Sequence, residues 1–83
     1  LLKEVFFDDF IHMLLVKEQY EMAYNLFDQF DLKDILKPYY YATLSFLKDD
    51  RNQEYLRMGS ELIQNVQDIL TSIDKYRKIY TID

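Results

Sequence analysis

The sequence predicts an all-α domain built from antiparallel helical hairpins. The chain of 83 residues contains one glycine and one proline, so it offers little of the turn chemistry that β-hairpins need. Hydrophobic residues make up 49% of the chain and recur at three- and four-residue spacing, which is the period of a helix face. The polar breaks between the apolar stretches are short, and short connections fold successive helices back on one another.

The first two helices are predicted to carry wide apolar faces. Helix one is expected from about Leu2 to Lys17, and its apolar surface is wide enough to be packed on more than one side. Helix two is expected from Tyr20 to Phe30, the stretch around which the rest of the chain is arranged. Ala23 lies among large aromatic residues on this second helix, where its small size lets a neighbouring helix come close.

The third helix is predicted from the position of the proline. Pro38 is tolerated in the first turn of a helix but not deep inside one, so this helix should begin near Asp34 or Pro38 and end near Lys48. Carboxylates accept hydrogen bonds from the unpaired amide groups of a first helical turn. Asp31 and Asp34 are therefore predicted to cap the start of this third helix.

The last helix is predicted to begin near Gln53 and to continue with the apolar periodicity towards the C-terminus. Asp50 and Gln53 have the spacing of a capping box, in which each side chain bonds the backbone beside the other. Gly59 is expected to allow close helix contact rather than to break this helix. Thr71–Asp74 is the predicted place for a break or bend.

Composition and charge argue against several classes of function. The chain has no cysteine, which excludes disulfides and thiolate metal sites and leads us to expect a reducing, cytoplasmic environment. The net charge of -5 argues against nucleic acid and anionic membrane surfaces, because both require clustered Lys and Arg. No apolar run reaches the roughly 18 residues that span a membrane. Because the chain opens at Leu1 within an apolar pattern, we expect a piece of a longer protein.

An internal repeat links the two halves of the chain. The predicted helical pairs can be superimposed with a period close to the roughly 34 residues of a tetratricopeptide repeat. At the positions of this family's pattern the first pair carries Phe7, Phe10, Ile11, Leu14, Ala23 and Phe27, of which all but Ile11 resemble the family. The chain thus resembles the tetratricopeptide repeat (TPR) family over about residues 4–67. The departures from the family pattern are Ile11, Pro38, Lys48 and Met58.

The resemblance implies a single TPR-like domain over residues 1–83, a right-handed stack of about two units plus a capping helix. The units would cover about residues 4–37 and 38–67, and the capping or extension helix residues 68–83. In this family the first helix of each unit lines a concave groove that accepts a peptide or a partner helix. Carried over to this chain, the groove would be lined by Val5, Asp8, Asp9, His12, Val16, Tyr39, Ala42, Thr43 and Phe46.

Such a groove is apolar with an acidic edge. It should prefer a protein or peptide with apolar anchors and nearby Lys or Arg, and no cofactor is expected. Some TPR proteins hold acidic C-terminal tails through Lys, Arg and Asn, which are absent from this groove, so we predict that such tails do not bind. The alternative is a structural end-piece of a longer helical array, which packs on the rest of the parent chain or self-associates.

Catalysis is not expected, although one polar cluster offers the hypothesis of a metal-dependent enzyme. Asp8 and His12 lie one helical turn apart and Asp9 lies beside them, so two or three ligands could touch one ion. One helix supplies an incomplete site, and a solvated helix face is the favoured interpretation. Tyr39–Tyr41 could be read as a base-stacking platform. Since consecutive helical residues point about 100° apart, we instead predict two core tyrosines and an exposed one.

Overall fold

The computed structural model describes the backbone of residues 2–80 and the side chains of residues 7–79. Over residues 2–80 the chain is all-helical, which confirms the predicted all-α class. The elements are α1 (Leu2–Val16), α2 (Tyr20–Gln29), α3 (Lys37–Phe46), a 3₁₀ helix (Asp50–Arg57) and α4 (Ser60–Tyr80). The predicted groove residue Val5 has its side chain outside the described residues, as do the last positions of the predicted capping helix.

The first three helices end in the same way. Glu18, Asp31 and Lys48 come after α1, α2 and α3 with φ values of 63°, 54° and 59°. The next amide in each case bonds back to the last turn, as the Gln19 nitrogen does to the Leu14 carbonyl at 2.8 Å. This is the Schellman arrangement that usually places glycine in the left-handed position. A chain with one glycine uses ordinary residues there, so three connections carry backbone strain.

The predicted caps differ from the observed ones. Pro38 lies in the first turn of α3, as predicted, but the residue before that helix is Leu36, with no side-chain cap. The prediction that Asp31 and Asp34 cap it is therefore wrong. Asp31 adopts the left-handed conformation that ends α2, so it belongs to the preceding helix.

The start of the last helical segment was also predicted incorrectly. Asp49, not Asp50, caps the 3₁₀ helix, because its carboxylate accepts a hydrogen bond from the Arg51 backbone nitrogen at 2.8 Å. Gly59 then separates the 3₁₀ helix from α4 at a φ of 140°, and an added Cβ would meet nothing within 4 Å. The conformation therefore requires glycine there, and the expected close helix contact is wrong.

The predicted break at Thr71–Asp74 is wrong as well, because α4 continues through it without interruption. Ile73 lies in the middle of this segment and is fully buried. Core packing of that side chain supports the helix across a stretch whose local sequence is polar. None of the helices in residues 2–80 is long and apolar enough to cross a membrane.

α1 and α3 lie between α2 on one side and α4 on the other. α1 packs against α2, α3 and α4, which confirms that it is covered on more than one side. Over residues 2–80, no Cα atom of α4 comes within 8 Å of one in α2. The fully buried side chains of the core come from all four α-helices: Ile11, Leu15, Ala23, Phe27, Ala42, Thr43, Leu44, Val66 and Ile73.

Candidate functional site

The groove predicted from the family resemblance is occupied by the chain itself. α4 packs on both α1 and α3, and Val16, Ala42 and Thr43 are buried. Phe46 is half-buried, and its ring lies beneath the guanidinium of Arg77 from α4, 5.4 Å from the ring centroid. The prediction that these four residues line an open groove is therefore corrected, since three are buried and Phe46 is partly covered by Arg77.

What stays open on this side is a cleft of about 410 Å³ at the junction of α1, α3 and α4. Its lining residues come from all three helices: Asp9, His12, Met13, Tyr39, Ser72 and Tyr76. The structure therefore brings together three of the predicted groove residues, Asp9, His12 and Tyr39. Asp8 lies next to this set and lines a neighbouring cleft of about 340 Å³, which Tyr39 also borders.

The rings of His12, Tyr39 and Tyr76 pack against one another at the cleft. The Nδ1 atom of His12 and the Tyr39 hydroxyl are hydrogen-bonded at 3.0 Å. The rings of Tyr39 and Tyr76 stand almost perpendicular to the imidazole, at centroid distances of 6.0 and 5.6 Å. Edge-to-face packing of this kind is the favoured geometry of aromatic pairs. The three side chains therefore tie α1 to α3 and to α4.

The charge in the cleft lining comes from the carboxylate of Asp9. Burial lowers the pKa of His12 from its ordinary value of 6.5, and the nearby Asp9 carboxylate opposes this shift only in part. Its Nε2 atom is buried without a hydrogen-bond partner, so a second ring proton would gain no acceptor. Burial also raises the pKa of Tyr39, helped by the charges of Asp8 and Asp9. At neutral pH His12 and Tyr39 are uncharged, and Asp9 gives the lining its negative charge.

The metal hypothesis receives no geometric support within residues 7–79. In that range no group of three His, Asp or Glu side chains is arranged to hold an ion. Asp8, Asp9 and His12 do not form such a set. The tyrosine run agrees with the prediction of two core residues, since Tyr40 and Tyr41 are buried, while Tyr39 is half-buried at the cleft rather than exposed.

The α4 end of the cleft is fixed by Arg77. Its guanidinium donates hydrogen bonds to the carbonyl oxygens of Leu15 at 2.7 Å and Val16 at 3.4 Å, and to the Tyr20 hydroxyl at 2.9 Å. These carbonyls belong to the last turn of α1, where a helix leaves carbonyls without intrahelical partners, and the Leu15 carbonyl also accepts a hydrogen bond from the Glu18 amide at 3.1 Å. Arg77 therefore caps α1 from another helix and holds α4 in place beside Tyr76.

Apolar side chains lie beside the cleft, and we call Phe7, Phe10, Met13, Phe30 and Tyr76 the α1 surface. Phe7, Phe10 and Met13 succeed one another at three-residue spacing, which places them on neighbouring turns of one helix face. Phe30 contacts Phe7 with ring centroids 4.9 Å apart, and Met13 shares the cleft with Tyr76. Phe10 is 50% exposed and Met13 40%. Contiguous exposed apolar side chains of this size mark interaction sites.

Sequence reasoning missed half of the cleft. Met13 and Tyr76 lie outside the predicted groove set, and both line the cleft with exposed side chains. Ser72 carried no sequence signal. These residues meet because α4 crosses α1, a contact between positions about sixty residues apart in the chain, which no local pattern reports.

Comparison with known proteins gives no further guidance on identity. No protein-family model matches the chain, and neither a curated protein nor a solved structure matches it. The chemistry of the cleft and of the α1 surface is therefore the basis for a functional hypothesis.

Proposed function

We propose that this chain is a non-catalytic protein-interaction module. Its partner is a peptide or helix with apolar anchors and nearby Lys or Arg, and it binds on the α1 surface (Phe7, Phe10, Met13, Phe30 and Tyr76). The observation that carries the proposal is the half-exposed pair Phe10 and Met13, which lies beside the exposed carboxylate of Asp9.

Two physical arguments support this assignment. Leaving Phe10 and Met13 in water forfeits the free energy of burying them, roughly 1.5–3 kcal/mol for a fully buried side chain of this size. A partner that covers both recovers part of that free energy. The carboxylate of Asp9 and the net charge of -5 favour a partner with positive charge near its apolar anchors, because complementary charge steers association and selects partners.

The TPR-like architecture is part of the same proposal. Direct packing of α1 on α2, with Ala23 buried on α2, supports a first unit at about residues 4–37. The boundary between a second unit at 38–67 and a capping helix at 68–83 falls inside the continuous α4. Because α4 fills the α1–α3 groove, the partner site we propose is the outer surface of α1 instead. A cytoplasmic location stays a prediction from the cysteine-free composition.

The same exposed residues allow a second candidate, a structural end-piece of a longer helical array. In that case Phe10 and Met13 are covered by another part of the parent protein or by a second copy of this chain. Self-association through the α1 surface would then depend on concentration. The two candidates share the surface but differ in the identity of its occupant.

Binding to a defined probe tests the interaction module. The probe is a short amphipathic helical peptide of Leu and Lys, with a Leu and Glu peptide of the same pattern as its control. We expect the Lys peptide to bind more tightly in titration calorimetry. Phe10→Ser should weaken that binding at least about tenfold, since it removes an apolar anchor near the centre of the surface. Met22→Ser is the matched control, because Met22 is similarly exposed on α2, away from the α1 surface.

Three results decide the matter. Equal weakening by Phe10→Ser and Met22→Ser, or equal binding of the Lys and Glu peptides, would overturn the proposed surface. Light scattering across a concentration series separates the second candidate. A dimer that Phe10→Ser dissociates, and Met22→Ser does not, would favour self-association over a foreign partner.

A further inference from the structure

The cleft between α1, α3 and α4 has a composition that the apolar α1 surface lacks. It combines the aromatic rings of His12, Tyr39 and Tyr76 with the thioether of Met13 and the carboxylate of Asp9. A purely apolar peptide segment would leave the Asp9 carboxylate without a partner of opposite charge. A side chain with an alkyl stem and a positive head matches both parts of this lining.

We propose that the cleft binds a lysine side chain of the partner. The ammonium group lies against the Asp9 carboxylate, and the alkyl stem packs between Met13 and Tyr76. This assignment rests on the proposed function, because the lysine belongs to the partner protein proposed there. It deepens that proposal because Met13 and Tyr76 belong to both the cleft and the α1 surface, so the anchors and the lysine can come from one segment.

The rings of the cleft suit a cation. Aromatic rings attract cations that lie near them, and Tyr39 and Tyr76 line the cleft at 77° and 81° to the imidazole of His12. The volume of about 410 Å³ leaves room for the whole lysine side chain.

The charges around the cleft favour a cation as well. His12 is uncharged at neutral pH because burial lowers its pKa below 6.5, and Tyr39 is protonated there because its pKa lies above its ordinary value of 10.0. Asp9 therefore attracts a cation without repulsion from the imidazole. The ion pairs formed within the described part of the chain use Glu18, Asp49 and Asp74.

The experiment uses the intact chain and a probe smaller than a peptide. N-acetyl-lysine methylamide is titrated into the ¹⁵N-labelled protein, with the norleucine methylamide, which lacks the ammonium group, as its isostere. We expect saturable shifts of the amide signals of Met13, Ser72 and Tyr76, with a dissociation constant on the order of 10 mM. The norleucine compound should give no saturable shift at these signals.

Paired variants locate the binding energy. Asp9→Asn should weaken lysine binding about threefold or more, while Asp28→Asn, which removes the same charge from the exposed face of α2, should leave it unchanged. Tyr76→Leu should weaken it about threefold through loss of the ring. Tyr76→Phe, which keeps the ring, should retain it.

The outcomes separate this inference from the proposed function. Absence of saturable shifts up to the solubility of the lysine compound, or equal effects of Asp9→Asn and Asp28→Asn, would overturn the lysine site. Phe10 lies outside the cleft lining, so Phe10→Ser should leave binding of the lysine compound unchanged. A chain that binds the Leu and Lys peptide through Phe10 but ignores the lysine compound would keep the interaction module and lose this inference.

Discussion

Two arginine junctions join the helices of this protein, and they differ in what surrounds the guanidinium. Arg77 is 24% exposed and donates hydrogen bonds to the carbonyl oxygens that end α1. Arg51 is 45% exposed and forms an ion pair with the Asp49 carboxylate at 2.9 Å. The second junction has the closer ion pair, and its hydrogen bonds lower the pKa of Asp49 to about 2, yet the first should contribute more to stability.

The reason lies in what each side chain would leave behind. Removing Arg77 takes side-chain donors away from two carbonyls in a partly buried place at the end of α1. The Leu15 carbonyl keeps the bond from the Glu18 amide at 3.1 Å, so the loss falls mainly on the Val16 carbonyl, and a lost partner costs more than a hydrogen bond gains. Removing Arg51 exposes Asp49 to water, which solvates a carboxylate well. Exposed ion pairs are worth little for that reason. The comparison teaches that burial of the acceptor, and not proximity of opposite charge, decides the contribution of these junctions.

The largest expected effect is that of Arg77→Ala. We expect a loss of about 2 kcal/mol in the free energy of unfolding, since hydrogen bonds to a charged group are lost together with the contact to the Phe46 ring. Urea denaturation measures it. Arg57→Ala, at an exposed position of the 3₁₀ helix, is the control for loss of a positive charge. Similar urea midpoints for the two variants would show that α4 does not depend on Arg77.

A smaller effect should appear on the same side of α1 when the pH is lowered. The folded state favours neutral His12, because burial lowers its pKa below 6.5. Above pH 6.5 both states are neutral and the residue contributes nothing. As the pH falls through 6.5, the unfolded chain takes up a proton that the folded chain resists, so the free energy of unfolding decreases.

The variant His12→Asn isolates that contribution, because asparagine cannot take up a proton in this range. Urea midpoints measured from pH 7.5 to 5.5 should decrease for the parent chain and decrease less for the variant. Parallel pH profiles would contradict the placement of His12 in a buried junction between α1, α3 and α4.

The smallest effect should come from the exposed junction. Arg51→Ala should shift the urea midpoint no more than the control Arg57→Ala does at neutral pH. The hydrogen bonds from Arg51 hold the pKa of Asp49 at about 2, below its ordinary value of 3.8. Any stability that Asp49 contributes is therefore present above pH 3.8 and is lost as the pH falls towards 2. A clear loss in Arg51→Ala at pH 7 would reverse the order of the two junctions.

The sequence by itself determined the helical class and the first three helices. Their bounds depend on local features: apolar periodicity in α1 and α2, and the fixed φ of Pro38 at the start of α3. Burial of Ala23 and Phe27 could be predicted from their shared helix face. Each of these depends on residues within one or two turns of one another, and such interactions can be read from spacing.

Tertiary structure alone decided the unbroken course of α4 and the cleft. The break at Gly59 is local, because its φ of 140° requires glycine and an added Cβ would meet nothing within 4 Å. Ile73 supports the continuous course of α4 because its side chain fills the core, and Arg77 bonds the Leu15 carbonyl across 62 positions. Asp9, Tyr39 and Tyr76 share a cleft because α4 lies on α1 and α3. Contacts between such distant residues depend on how whole helices pack, and local periodicity carries no record of it.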